Sequence, residues 1–320
     1  MNRLQANALL LIAGAIWGMG FVAQASAMED IGPFLFIALR FAVACAVVLP
    51  FALVESARHQ RLAALHNKTD SLQGSAEKTP AHLLSKVDIG KFCLIGLALF
   101  AGMATQQVGL LSTSVTNSGF LTGLYVVFTP LVGVMLFRLI PHPVIWPGAL
   151  LAMSGIYLLS GGNLRELVIG DILTIVSAMF WALQVVMIAR FVGQSGRPLA
   201  LSFMQFFVTA MLALLVALAV EPIVWANIVA AGPEILYTGV FASGIAFTLQ
   251  VIGQRYTTAP QAAIFLSSEA PFAALFAFLF IGERIGLIGV LGCVLIFASM
   301  LLVELYPQWQ ARRAQHMASS

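Results

Sequence analysis

Apolar residues run through this chain in long, nearly unbroken blocks separated by short polar breaks. Ten blocks lie near residues 5–27, 33–54, 91–111, 115–137, 143–161, 171–190, 200–220, 233–254, 259–280 and 285–305. Crossing roughly 30 Å of hydrocarbon takes about 20 mostly apolar residues, so each block is a candidate span. Turn residues punctuate them: Gly32-Pro33, Pro141-His142-Pro143, Gly161-Gly162-Asn163, Gly196-Arg197-Pro198 and Gly232-Pro233. The blocks are continuous rather than alternating, which predicts membrane helices and not a barrel. One longer polar insertion, from Glu55 to Asp88, mixes charge, Ser, Gln and Pro with a short Leu-Ala patch. It reads as a flexible loop with room for a surface helix; a docking segment for a partner is the other reading.

Composition agrees with the pattern. Of 320 residues 60% are hydrophobic and 9% charged, and the mean hydropathy is +0.97. A soluble domain carries roughly 25% charged residues, so this is an integral membrane protein. Cys45, Cys93 and Cys293 all fall inside apolar blocks and imply no disulfide framework. No A-x-A-like cleavage site follows the first block, which predicts a retained first span. Short cytoplasmic loops collect Lys and Arg. With the N-terminus inside, inner segments hold 13 basic residues and outer segments only Arg165 and Arg284, with Arg40 left inside the second block. The outer loops lean acidic through Glu29, Asp30, Glu221 and Glu234. Both termini, including a tail over 307–320, are therefore predicted to be cytoplasmic.

The two halves of the chain resemble each other. AGAIWGMGFV (13–22) answers SAMFWALQVV (177–186), aligning Trp17 with Trp181. ALRFAVACAVVLPFAL (38–53) answers FMQFFVTAMLALLVAL (203–218), placing Arg40 opposite Gln205, and Pro130 answers Pro271. Five spans is an odd number, so the second copy must be inverted. The expected fold is all-α: ten transmembrane helices as two inverted five-helix repeats, 1–162 and 163–306, around a central cavity. Inverted repeats are characteristic of secondary transporters, whose substrate sites lie near the midplane at the repeat interface.

A few polar residues sit where hydrocarbon is expected. Glu269 interrupts LSSEAPFAAL near the middle of the ninth block, where a charge costs about 2.5–3.5 kcal/mol on insertion scales. It is either a proton-coupling or substrate carboxylate facing a wet cavity, or a group satisfied by a neighbour such as Arg40. Pairing Pro130 with Pro271 puts Phe128 opposite it, so the charge belongs to one half only. Pro271 frees a carbonyl nearby and predicts a kink. Arg40 either binds an anionic group or serves structure, snorkelling toward Glu29 and Asp30 or holding helix ends. Trp17 and Trp181 are packing residues or the aromatic walls of a cavity. Gln24, Gln106, Gln107, Asn117, Gln184 and Gln250 supply amides for interhelical bonding or for solute recognition. Tyr125 is a further wall candidate. Gly14, Gly18, Gly20, Gly119, Gly123 and Gly133 allow close helix packing.

Other classes find little support. All five histidines, His59, His66, His82, His142 and His316, lie in loops or the tail, and no metal or cofactor motif is present. There is no phosphate-binding G-x-x-x-x-G-K-[ST] loop, nor a filter loop or charge ring of the kind channels use. A non-transporting receptor or scaffold shares the architecture. Nothing points to nucleic acid.

The ALRF of the second block, TSVTNSGFLTGLYVVFTPL (113–131) and RYTTAPQAAIFLSSEAPFAALFAFLFIGER (255–284), in this order and spacing, resemble the drug/metabolite transporter superfamily, EamA type. The resemblance covers nearly the whole chain except the loop around 55–90, and it implies a kink in the fourth block, at Pro130, like that at Pro271. It implies a multi-pass inner-membrane carrier of small metabolites such as amino acids, working outward; a multidrug or organic-cation exporter of the same fold is the alternative. Lipid and a small solute are the partners, with protons if the carrier is coupled. The repeats complete a cavity within one chain, so a monomer suffices, and a dimer also fits.

Overall fold

The computed structural model describes residues 1–28, 30–72, 84–113, 115–160, 168–281 and 286–319. The calls on Glu29, Lys78, His82, Arg165 and Arg284, and on the side chains of His66, Lys68, Asn117, Arg312 and His316, lie outside the described residues. The first half holds α1 (Arg3–Ala27), α2 (Pro33–Leu72), α3 (Lys86–Gly109), α4 (Val115–Thr122), α5 (Tyr125–Phe137) and α6 (Ile145–Leu159). The second holds α7 (Ile169–Ser195), α8 (Pro198–Val220), α9 (Trp225–Ala230), α10 (Gly232–Tyr237), a π-helical segment (Thr238–Ala246) and α11 (Phe247–Gln254). It ends with α12 (Ala259–Leu266), α13 (Glu269–Ile281) and α14 (Leu287–Ser319). Among the described residues there is no strand, and seven helices are long and apolar enough to cross a membrane; Ile145–Leu159 is apolar but shorter.

The polarity is that of a protein dissolved in lipid. Ile140, Leu287, Met135 and Leu150 are exposed, while Arg40, Gln107, Gln184, Gln205 and Gln250 are buried. With little hydrophobic drive between helices in a bilayer, small residues and polar contacts hold the bundle together. Gly14 and Gly18 seat α1 on the start of α13: a Cβ added at Gly18 would lie 2.6 Å from the Ala273 nitrogen and 2.7 Å from the Glu269 carbonyl oxygen.

Helices α2 and α8 run side by side in opposite directions, each capping the other. Both begin on proline, whose missing N–H is no loss in a first turn. The Glu221 carboxylate at the end of α8 accepts from the amides of Phe34 and Leu35, both at 2.8 Å. The Glu55 carboxylate of α2 accepts from Leu199 at 3.2 Å and Ala200 at 3.0 Å. Each carboxylate thus sits where a helix leaves donors unmet and where its dipole favours negative charge.

Two expectations need correction. The insertion after Glu55 is not loop from its outset: α2 continues to Leu72, because Arg58 to Leu65 is made of good helix formers with no Gly or Pro to stop them. The interruptions expected at Pro130 and Pro271 fall upstream of the prolines. One lies at Gly123-Leu124 and the other at Ser267-Ser268, and both prolines sit inside the helices that follow. At each break amides bond three residues back rather than four, as in Val126 to Gly123 and Ser268 to Phe265.

Candidate functional site

The two broken helices point their second halves at one place. Tyr125 is the first residue of α5 and Glu269 the first of α13, and both line a cavity of about 60 Å³. Since roughly 10–15 Å³ accommodates one water, this is room for several waters or a small solute. Trp17, Gln24, Arg40, Gln106 and Trp181 line the same cavity. Seven of the residues singled out from the sequence therefore meet in its wall, with Gln250 as an eighth. Gln184 stands one bond behind it, accepting from the Gln250 amide at 3.2 Å and donating to Gln205 at 3.2 Å.

One end of the wall is aromatic. Phe247 of α11 sits between the two tryptophans, 4.7 Å from the Trp17 ring and stacked at 5.7 Å on Trp181. The Trp17 indole N–H donates to the Ala242 carbonyl at 2.7 Å, which fixes the ring plane. The Trp181 N–H has no partner among the described residues.

Arg40 is almost wholly buried, at 2% exposure. Its Nε donates to Ser243 Oγ and its Nη1 to Gln24 Oε1, both at 2.9 Å, and its guanidinium lies 5.5 Å from the rings of Phe36 and Phe41. Among the described residues no carboxylate pairs with it: neither Glu269 nor Asp30 comes within ion-pair range. A guanidinium has five N–H donors, and the described residues engage two of them.

Glu269 is buried at 9% exposure, and its carboxyl has no hydrogen-bond or ion-pair partner among the described residues. The Tyr125 hydroxyl and the Gln250 carbonyl oxygen are buried and unpartnered as well. Buried polar atoms normally find partners, and leaving one unmet costs about 1–3 kcal/mol. Several such atoms around one cavity mark a place built to meet polar groups from elsewhere. Gln106 is engaged with Thr122 Oγ1 at 2.8 Å, and Gln107 donates to the Gln24 carbonyl at 3.5 Å. Among the described residues no three of His, Cys, Asp or Glu gather as a metal site would require.

Sequence reasoning missed Phe247, Ser243 and Thr122. An aromatic or small residue inside an apolar block carries no signal of its own.

Comparison with known proteins adds the decisive fact. The model of the EamA-like transporter family matches residues 4–161 and again residues 168–305. The chain belongs to the EamA-like transporter family. A protein described as an uncharacterized transporter from Archaeoglobus fulgidus is 30% identical over 305 residues, covering 95% of this chain and 87% of that one. A solved crystal structure shares the fold with a TM-score of 0.73 at 19% identity, over 95% of this EamA-like chain and 99% of the other. The EamA-like family is one of transporters, and this member is a multi-pass membrane protein.

Proposed function

We propose that this EamA-like transporter is a secondary carrier for a small zwitterionic metabolite, an amino acid or a close relative, moved outward across the inner membrane. The observation that carries the reading is Arg40 and Glu269 in the wall of one cavity, not paired with each other. Two opposite charges left apart in a low-dielectric site fit a solute that carries both. Its carboxylate goes to Arg40, its ammonium to Glu269, the Gln250 side-chain oxygen and the Tyr125 hydroxyl, and its side chain against Trp17, Phe247 and Trp181. Such contacts replace the water the solute leaves behind.

Around that site the reading has ten spans in two inverted repeats, 1–162 and 163–306. The doubled family match and the reciprocal capping of α2 and α8 both support it. So do the broken helices that start at Tyr125 and Glu269, since discontinuous helices commonly build transporter sites. The asymmetry of basic residues supports cytoplasmic termini. All cavity residues come from one chain, so a monomer suffices. Alternating access follows from rocking of one repeat against the other.

Glu269 also couples protons in this account, because an unpartnered carboxyl in the cavity can take up a proton when the solute leaves. In proteoliposomes loaded with alanine, an acid pH outside is expected to speed alanine release several-fold. Glu269→Gln is expected to exchange alanine with about tenfold weaker affinity, having lost one charged contact, and without responding to the gradient. If the variant keeps the full response, Glu269 is not the coupling group; if neither protein moves alanine or any other amino acid, the substrate reading fails.

A further inference from the structure

Nine consecutive residues before α11, Thr238–Ala246, form a π-helix. Such helices are rare, occur mostly as single-turn bulges, and cluster at functional sites. This one is pressed into the bundle by close backbone approach. A Cβ added at Gly239 would lie 2.7 Å from Val43 Cβ and 2.9 Å from the Arg40 carbonyl oxygen, and one at Gly244 would lie 3.2 Å from Val47 Cγ1. On its other side Gly20 of α1 faces Ala242, 3.5 Å from a built Cβ.

The segment then contributes one contact from each of two successive residues. Ala242 offers its carbonyl to the Trp17 indole, and Ser243 offers its hydroxyl oxygen to Arg40 Nε. Ser243 is fully buried and stands outside the cavity wall, whereas Arg40 and Ala242 are part of it. The Ser243 hydroxyl and the Gln24 carbonyl hold two edges of the guanidinium, which fixes which N–H groups remain for the cavity. Arg40 has a long, flexible stem, and without a hydroxyl at 243 nothing on the side of the π segment holds Nε.

We propose that Ser243, through the π-helical segment, is the positioning residue that aims Arg40 into the cavity and thereby sets the site's preference for anionic groups. This rests on the reading of the cavity as the solute site with Arg40 as its anion contact.

The test measures charge preference directly, with probes of known chemistry. Met103 also lines the cavity, so in the full-length protein with Cys45, Cys93 and Cys293 replaced by serine, Met103→Cys places one thiol in its wall. Its reaction rates with an anionic sulfonatoethyl and a cationic trimethylammonioethyl methanethiosulfonate are compared in proteoliposomes, as a ratio normalised to free cysteine. Ser243→Ala is expected to lower the anion-to-cation ratio by roughly three- to tenfold, toward the value of Arg40→Gln, because a focused local charge changes encounter with ions by such factors. Ser243→Thr, which keeps the hydroxyl, is expected to retain the starting ratio. A purely structural role would change both rates together and leave the ratio alone.

If Arg40→Gln collapses the ratio and Ser243→Ala does not, the positioning role is overturned while the cavity reading stands. If Arg40→Gln also leaves the ratio unchanged, or the thiol reacts with neither reagent, the cavity reading falls and the positioning role falls with it.

Discussion

Arg40→Gln is expected to weaken binding of a carboxylate-bearing solute by about 10- to 100-fold while leaving the carrier folded. A hydrogen bond to a charged group contributes about 1.5–3 kcal/mol, and each 1.4 kcal/mol is about tenfold in affinity. The fold should tolerate the change because no protein carboxylate depends on this guanidinium among the described residues. Removing a buried charge also relieves a desolvation cost. The second half supplies a precedent: Gln205 is the eighth residue of α8, as Arg40 is of α2, and it sits buried in hydrogen bond with Gln184. Binding of radiolabelled alanine to purified protein, alongside the thermal midpoint, checks both parts. Lost affinity with an unchanged midpoint supports an anion contact. A collapsed midpoint would make Arg40 a structural strut, and unchanged affinity would remove it from the site.

The second large effect concerns stability. Glu304, on α14, is buried at 7% exposure and gathers donors from three helices. Asn7 of α1 donates to it at 2.8 Å, Gln308 at 2.7 Å, and Gln261 of α12 bonds to the same oxygen as Asn7. Arg3 lies 3.4 Å away as an ion pair and also bonds to Gln261. The cluster ties the first turns of α1 and α12 to α14, across the two segments that match the family model. Glu304→Ala leaves the buried amides of Asn7 and Gln261 without their acceptor, and each buried donor left unmet costs about 1–3 kcal/mol. A fall of several degrees in the thermal midpoint in detergent is expected, with a smaller fall for Glu304→Gln, whose amide keeps one acceptor oxygen. A midpoint within about 1 °C of the parent would show that desolvation cancels the network's gain.

Neither Glu304 nor the π-helix was legible beforehand, and the reasons differ. Glu304 ends an apolar block, where a carboxylate reads as an ordinary interfacial residue; its partners Asn7, Gln261 and Arg3 are hundreds of positions away or on another helix. The π register of Thr238–Ala246 follows from close glycine packing against α2, which no local pattern reports. The helical course of α2 beyond Glu55 was readable from propensity, but polarity argued more loudly for a loop. By contrast, the candidate cavity residues were accessible, since a polar group inside an apolar block stands out wherever its fold partners lie. That is why Arg40, Glu269 and the glutamines were found and Phe247 was not. The breaks at Gly123-Leu124 and Ser267-Ser268 show a limit of matching by proline. Aligning Pro130 with Pro271 paired Glu269 with Phe128, whereas the broken helices place Tyr125 and Glu269 in like positions, each first after its break.

The most direct test of the central claim is counterflow into proteoliposomes of the purified wild-type chain, comparing alanine with ethylamine and propionate. These analogues keep one charge of the zwitterion each. A cavity holding Arg40 and Glu269 apart predicts saturable alanine counterflow, at least about tenfold more efficient than either analogue, since each loses one charged contact. Counterflow of ethylamine or propionate as efficient as that of alanine would contradict the account, because one of the two charges would then have no part in holding the solute.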